Sequence, residues 1–190
     1  MSKGNIRRGA SKADWLAAAL EVLRSGGIDA VKVESLAKSL GIAKSGFYWH
    51  FSDRRELLTE LLGFWTHETT EVITRNPQLR ELDPVRRLER IAEINHAYRL
   101  SRYDVSMRQW ALVDKDAARV VRKVTNERLD YIRQTLKELG FEDEDMEMRA
   151  MLFLGYHTIE EAIFPHISRK RRRDMIRRRV ALITHPAPPS

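Results

Sequence analysis

The chain has 190 residues, 43% of them hydrophobic and 32% charged, with enough apolar material for a core. Lys and Arg number 34 against 27 Asp and Glu, a formal +7 at a sequence pI near 9.9, which favours anionic partners. The lack of cysteine excludes disulfides, thiolate zinc sites and cysteine nucleophiles, and no apolar run approaches the ~20 residues of a membrane span. A soluble, cytoplasmic protein with no membrane partner is expected.

Apolar residues recur at helical spacing and no alternating β-branched run is convincing. Ser11 and Asp14 form a capping-box pair before a helix whose stripe is Trp15, Leu16, Ala19, Leu20 and Leu23, stopped at Gly26-Gly27. Short helices are predicted over Val33 to Leu40 and Lys44 to about Phe51, separated by Gly41-Ile42-Ala43. Ser52-Asp53 caps a longer helix carrying Leu57, Leu58, Leu61, Leu62, Trp65, Val72 and Ile73, which Asn76-Pro77 breaks. Asp83-Pro84 opens a helix to about Leu100. A short helix then carries Met107, Trp110 and Ala111, and a long one runs from about Asp116 to Gly140. Acidic residues 142–145 favour the start of a helix that Pro165 ends. A last helix spans about Ser168 to Thr184, and the Pro-rich tail 185–190 is expected to be disordered. The fold class is all-α, with about nine helices.

Two helices of about two turns joined by a Gly-containing turn are a helix-turn-helix pattern. Ala37 lets the pair cross closely, Gly41 supplies the left-handed turn, and Leu36, Leu40, Ile42 and Phe47 clamp it. Lys44, Ser45, Tyr48, Trp49 and His50 are left to project outward, a set suited to phosphates and groove edges. Neighbouring positions on a helix point about 100° apart, so Tyr48 and Trp49 cannot both face one core. Gly46 costs roughly 1 kcal/mol relative to Ala within a helix; close approach of backbone to DNA would justify it. Arg7 and Arg8 offer an arm for a minor groove.

Residues 27–31 (Gly-Ile-Asp-Ala-Val), Glu34-Ser35-Leu36-Ala37, the run from Gly41 to Phe51, and Arg54 through Leu58 resemble the DNA-binding domain of the TetR family of bacterial transcriptional regulators. The resemblance covers about residues 10 to 60. It implies a helix-turn-helix domain, 1–52, and an effector-binding and dimerisation domain, 53–190. It further implies a homodimer that binds a palindromic operator on double-stranded DNA and is released by a small-molecule effector, more often as repressor than activator. Lys44, Tyr48 and His50 fall where the family touches phosphate, and Arg54 stands where a Lys meets the backbone. Two positions depart from the pattern. Lys32 replaces the usual Ser or Thr cap of the second helix and cannot accept its free N–H groups, though it can meet phosphate as a point charge. Gly46 replaces a hydroxyl residue, which shifts base reading toward Ser45 and Trp49.

Residues 146–164 are apolar nearly all round, so the helix needs cover on both sides. Its interface with a second copy is expected to use Met151, Leu154, Thr158 and Ala162, with Ile176 and Val180 from the last helix. Asn95 lies within an apolar stripe and is a candidate effector contact, a backbone group being its simplest alternative partner. His157 beside Phe153 is read similarly, as a ligand contact or a satisfied core histidine. Trp65, Tyr98, Met107 and Trp110 complete the expected pocket. The basic run 169–173 with Arg177 to Arg179 reads as a solvated helix face, or as a partner for the acidic segment 142–147. Glu93 and His96 share the Glu-x-x-His spacing of di-metal carboxylate bundles, but no second such pair occurs. Hydrolase elbows, phosphate loops and HExxH are absent, so no enzyme, cofactor or metal is expected. A ligand-independent architectural DNA-binder is the remaining alternative.

Overall fold

A computed structural model describes residues 9–185, and among them every regular element is helical. The expected Arg7-Arg8 arm and the tail beyond His185 lie outside the described residues.

Helix α1, Lys12–Gly26, opens on the expected capping box and buries its expected stripe, Trp15, Leu16, Ala19, Leu20 and Leu23. It ends at Gly27, whose φ of 73° suits a residue without Cβ. Helix α2 is Val33–Leu40, and Gly41 at φ 68° turns the chain. The next element, α3, is a 3-10 helix over Lys44–Trp49, shorter and tighter than the expected helix to Phe51. Gly46 and an Ala43 cap without an acceptor weaken α-helical geometry there. Helix α4 starts at Arg54 behind an Asp53 cap. It passes through a π-helical turn, His67–Glu71, and ends as Val72–Thr74.

The single turn Pro77–Arg80 precedes α5, Pro84–Tyr98, capped by Asp83. Arg99, at φ 52°, ends α5 and leads into the 3-10 turn Leu100–Tyr103 and α6, Asp104–Ala111. Helices α7, Lys115–Lys137, and α8, Asp143–Ile163, pack side by side. Helix α9 comes in two parts, Arg169–Asp174 and Ile176–Thr184.

Two hydrophobic clusters organise these helices. The first joins α1, α2, Phe47, Phe51 and the start of α4 to Tyr103, Met107, Trp110 and the first half of α7. It therefore runs continuously through the expected division at residue 52. The second gathers Leu79, Leu88, Ile91, Ala92, Ile132, Leu136, Ala150, Phe153, Ile176 and Val180. Ile176 and Val180, expected at a subunit interface, are instead covered within their own chain. They are 2% and 1% exposed because α9 lays its apolar stripe on α5 of its own chain.

The basic run is not wholly solvated either. Arg172 is buried and donates to the carbonyls of Ile167 and Phe164. Arg169 reaches the carbonyls of His96 and Ala97. The acidic segment is engaged elsewhere: Glu147 by Arg133 at 2.6 Å and Asp145 by Arg149 at 2.9 Å.

Candidate nucleic-acid interface and internal cavity

The first cluster dictates which way α3 faces. Phe47 and Phe51 stack near each other at 5.1 Å, with Trp15 edge-on to Phe47 at 5.4 Å, so α3 is anchored by its inner face. Tyr48 is then 64% exposed and Trp49 85%, a ring-bearing ridge held rigid from behind. Lys44 and Ser45 are exposed at its start. The Lys44 ammonium is paired with Glu34 at 2.6 Å, a contact that DNA phosphate would have to replace. Lys32 is exposed at the start of α2 and caps nothing, as its chemistry requires.

Three other expected contacts sit differently. His50 Nε2 lies 2.9 Å from the carbonyl oxygen of Ala10, so the ring fastens the segment before α1. Arg54 donates to the carbonyls of Val31 at 2.6 Å and Ile28 at 2.8 Å, holding the loop that carries Lys32. A Cβ built on Gly46 would meet Ile42 and Trp15 at 3.9 Å, ordinary contact distance on the inner side. The missing side chain at 46 is therefore not what keeps the outer surface low.

The expected pocket residues divide. Trp65, Met107 and Trp110 are sealed in the first cluster, where a helix packed on three sides needs large apolar filling. Tyr98 is 71% exposed on an open cleft beside α1. None of the four reaches the partly open cavity lined by α4, α5, α6, α7 and α8. That cavity holds about 50 Å³ and contains Asn95, Phe153 and His157 in its wall. Asn95 Oδ1 accepts from the backbone N–H of Ser101 at 3.1 Å, the simpler of its two expected partners.

Residues that the sequence did not flag dominate the cavity's polarity. Arg128 is clamped by Asp104 at 2.6 Å and donates to the hydroxyls of Thr70 and Thr69, both at 2.9 Å. Asp104 is only 1% exposed. The available signal was Arg128 itself, which shares a helical stripe with the buried Val121, Val124 and Ile132. Thr69 and Thr70 belong to the π-helical turn, a local departure that often marks functional positions. Next to this cavity, Tyr103 donates to Glu21 of α1 at 2.6 Å. Burial and that carboxylate push the Tyr103 hydroxyl up to about 12, so it remains a donor.

Among the expected interface residues, Met151 and Ala162 are exposed, whereas Leu154 is half-buried. Thr158 is 8% exposed, donates to the Leu154 carbonyl and lines the cavity, so it belongs to the interior. A different stripe is uncovered on α8: Met148, Leu152, Ile159 and Ile163, at 58%, 55%, 39% and 54% exposure. Glu93 is engaged by Arg86 and Arg90, and His96 faces Arg169. No group of three metal-capable side chains gathers among the described residues.

Residues 16–61 match the family model described as bacterial regulatory proteins, tetR family. The helix-turn-helix lies wholly within that match. No curated protein sequence matches the chain significantly. Solved structures extend the likeness to the whole fold. The TetR-family regulator PfmR from Thermus thermophilus is 20% identical with a TM-score of 0.71, covering 95% of this chain and 99% of its own. A transcriptional regulator from Rhodococcus sp. Rha1 is 18% identical at TM-score 0.70, covering 92% and 96%. FadR from Bacillus subtilis, solved in complex with stearoyl-CoA, is 15% identical at TM-score 0.68, covering 92% and 98%. The chain thus has the fold of TetR-family transcriptional regulators, with the segment that matches the family model at its N-terminal end.

Proposed function

We propose that this protein is a homodimeric repressor of transcription that binds a near-palindromic operator and is released by a small molecule. The observation that carries the DNA-binding part is the exposure of Tyr48 and Trp49 beside Lys44, on the element that follows the Gly41 turn. Two adjacent aromatics exposed together beside a lysine make an apolar patch of the kind that marks an interaction surface. Here they supply contacts to the sugar-phosphate backbone and base edges, while Lys32, Lys44 and Ser45 supply charge and hydrogen bonds.

The uncovered stripe of α8, with Met151, is the surface for the second copy. Two-fold pairing presents each α3 to one of two half-sites about 34–36 Å apart. The cavity is the effector site, a role supported by its polar wall and by ligand binding in FadR, whose structure holds stearoyl-CoA. Its signal has two short routes. Thr69 and Thr70 belong to α4, whose Asp53 cap follows α3 directly. The turn Leu100–Tyr103 lines the cavity and grips α1 through Glu21. An effector that prefers a spacing of recognition elements unsuited to DNA lowers operator affinity by that preference.

Selection from random duplex DNA tests this reading. Enrichment of an inverted repeat, bound as one dimer per site, is the expected result. Failure to enrich any duplex at low salt overturns it.

A further inference from the structure

The cavity also carries information about the ligand it accepts. Polar side chains stand in its wall, but most of the surface it offers a guest is apolar, from Ile73, Ile91, Leu100, Ile132 and Phe153 among others. Its one cation, Arg128, is already neutralised by Asp104, with both η nitrogens directed at the carboxylate at 2.6 and 3.4 Å. The same guanidinium is further occupied by Thr69 and Thr70. A carboxylate or phosphate entering here would have to break a buried pair and would leave Asp104 desolvated and unpaired. Thr158 and Asn95 Oδ1 are likewise satisfied within the protein.

His157 is different. Its Nδ1 lies 2.7 Å from the carbonyl oxygen of Phe153, which can only accept, so Nδ1 carries the hydrogen. Burial pushes the ring down to about 4, which leaves it neutral near pH 7. Nε2 is then a bare acceptor, and it is buried without a partner on a side chain only 7% exposed. The hydroxyl of Tyr131 is the other buried orphan on a lining residue, but it carries its own hydrogen and does not depend on a donor from a ligand. An orphaned buried acceptor rewards a ligand that donates to it.

We propose that the effector is a compact, uncharged, mainly apolar molecule with one hydrogen-bond donor, such as an alcohol or phenol, whose hydroxyl donates to His157 Nε2. This rests on the cavity being the effector site. At about 50 Å³ it is well below the volume that a benzene-sized guest needs, roughly 150 Å³. Entry therefore pushes the walls apart, the π-helical turn of α4 included.

Calorimetry on the full-length protein with matched probes tests the proposal. Phenol and cyclohexanol should bind roughly tenfold tighter than toluene and methylcyclohexane, the difference expected for one satisfied buried acceptor. In His157→Phe both members of each pair should bind alike. If that variant does not fold, the probe pairs on the wild-type protein decide alone. Equal affinity within the pairs, no binding of any donor at millimolar concentration, or binding of stearoyl-CoA alone overturns the proposal. The operator complex separates the two levels of inference. Release by stearoyl-CoA but not by phenol removes the ligand class and keeps an effector-responsive regulator. Tight phenol binding without any release keeps the ligand class and removes the regulatory role.

Discussion

Two ion pairs of equal length, 2.6 Å, mark the two ends of this molecule. Lys44 and Glu34 are both more than half exposed, whereas Asp104 is 1% exposed with Arg128 at 13%. Distance alone would rank them together; solvent separates them. In water the first pair is a temporary partner for a lysine that can exchange carboxylate for phosphate. In the interior the second is a fixed member of a wall, because neither charge has another place to go. The DNA-facing end is thus built from exposed groups free to change partners, and the cavity from buried groups that cannot.

The largest expected effect comes from breaking the buried pair. Asp104→Ala should cost roughly 3–5 kcal/mol of stability by leaving Arg128 uncompensated. Urea unfolding measures it; a loss below about 1 kcal/mol would mean that the cavity is wetter than its burial implies.

His157 sharpens the same contrast through pH. Its folded-state value of about 4 lies below the ordinary 6.5, so below pH 6.5 the unfolded chain binds a proton that the folded one refuses. Stability is fully present above about 6.5 and falls as the pH drops toward 4, by about 3 kcal/mol for a group this buried. His157→Phe should flatten that part of the pH profile, and an unchanged profile would show that the ring titrates in the folded state.

On the surface the effects turn from folding to association. Leu152→Glu, at a position 55% exposed, should leave the monomer folded and separate the two copies of the proposed dimer. Sedimentation should show monomer with wild-type circular dichroism; an intact dimer would place the contact on another face. The smallest effect belongs to the exposed pair. Glu34→Gln frees Lys44 and should raise DNA affinity several-fold at low salt with no measurable change in unfolding. A decrease would mean that Glu34 positions Lys44 for phosphate.

The same contrast explains what could be read from sequence. Local rules decide the N-terminal end: the Ser11 and Asp14 box, the stripe from Trp15 to Leu23 and the Gly41 turn are each set by residues close in the chain. Helix α3 was legible as an element but not as a 3-10 helix, since Gly46 weakens it only by degree. The carbonyls that hold Arg54, at Val31 and Ile28, lie more than 20 positions away and leave no local mark. The cavity is assembled from separate helices, so which face each turns inward depends on packing. Size and apolarity point to Trp65, Met107 and Trp110 as its lining, yet these fill the neighbouring core instead. Ile176 and Val180 were legible as an apolar stripe, but only the position of α5 shows that the stripe is covered within the chain.

The most direct test of the central claim is the salt dependence of binding to the selected duplex for wild type, Lys44→Ala and the double variant Tyr48→Ala with Trp49→Ala. The ridge predicts that the double variant loses at least about tenfold in affinity with its helicity intact. It also predicts that Lys44→Ala lowers the slope of log affinity against log salt by about one. Wild-type affinity and slope in both variants would contradict it.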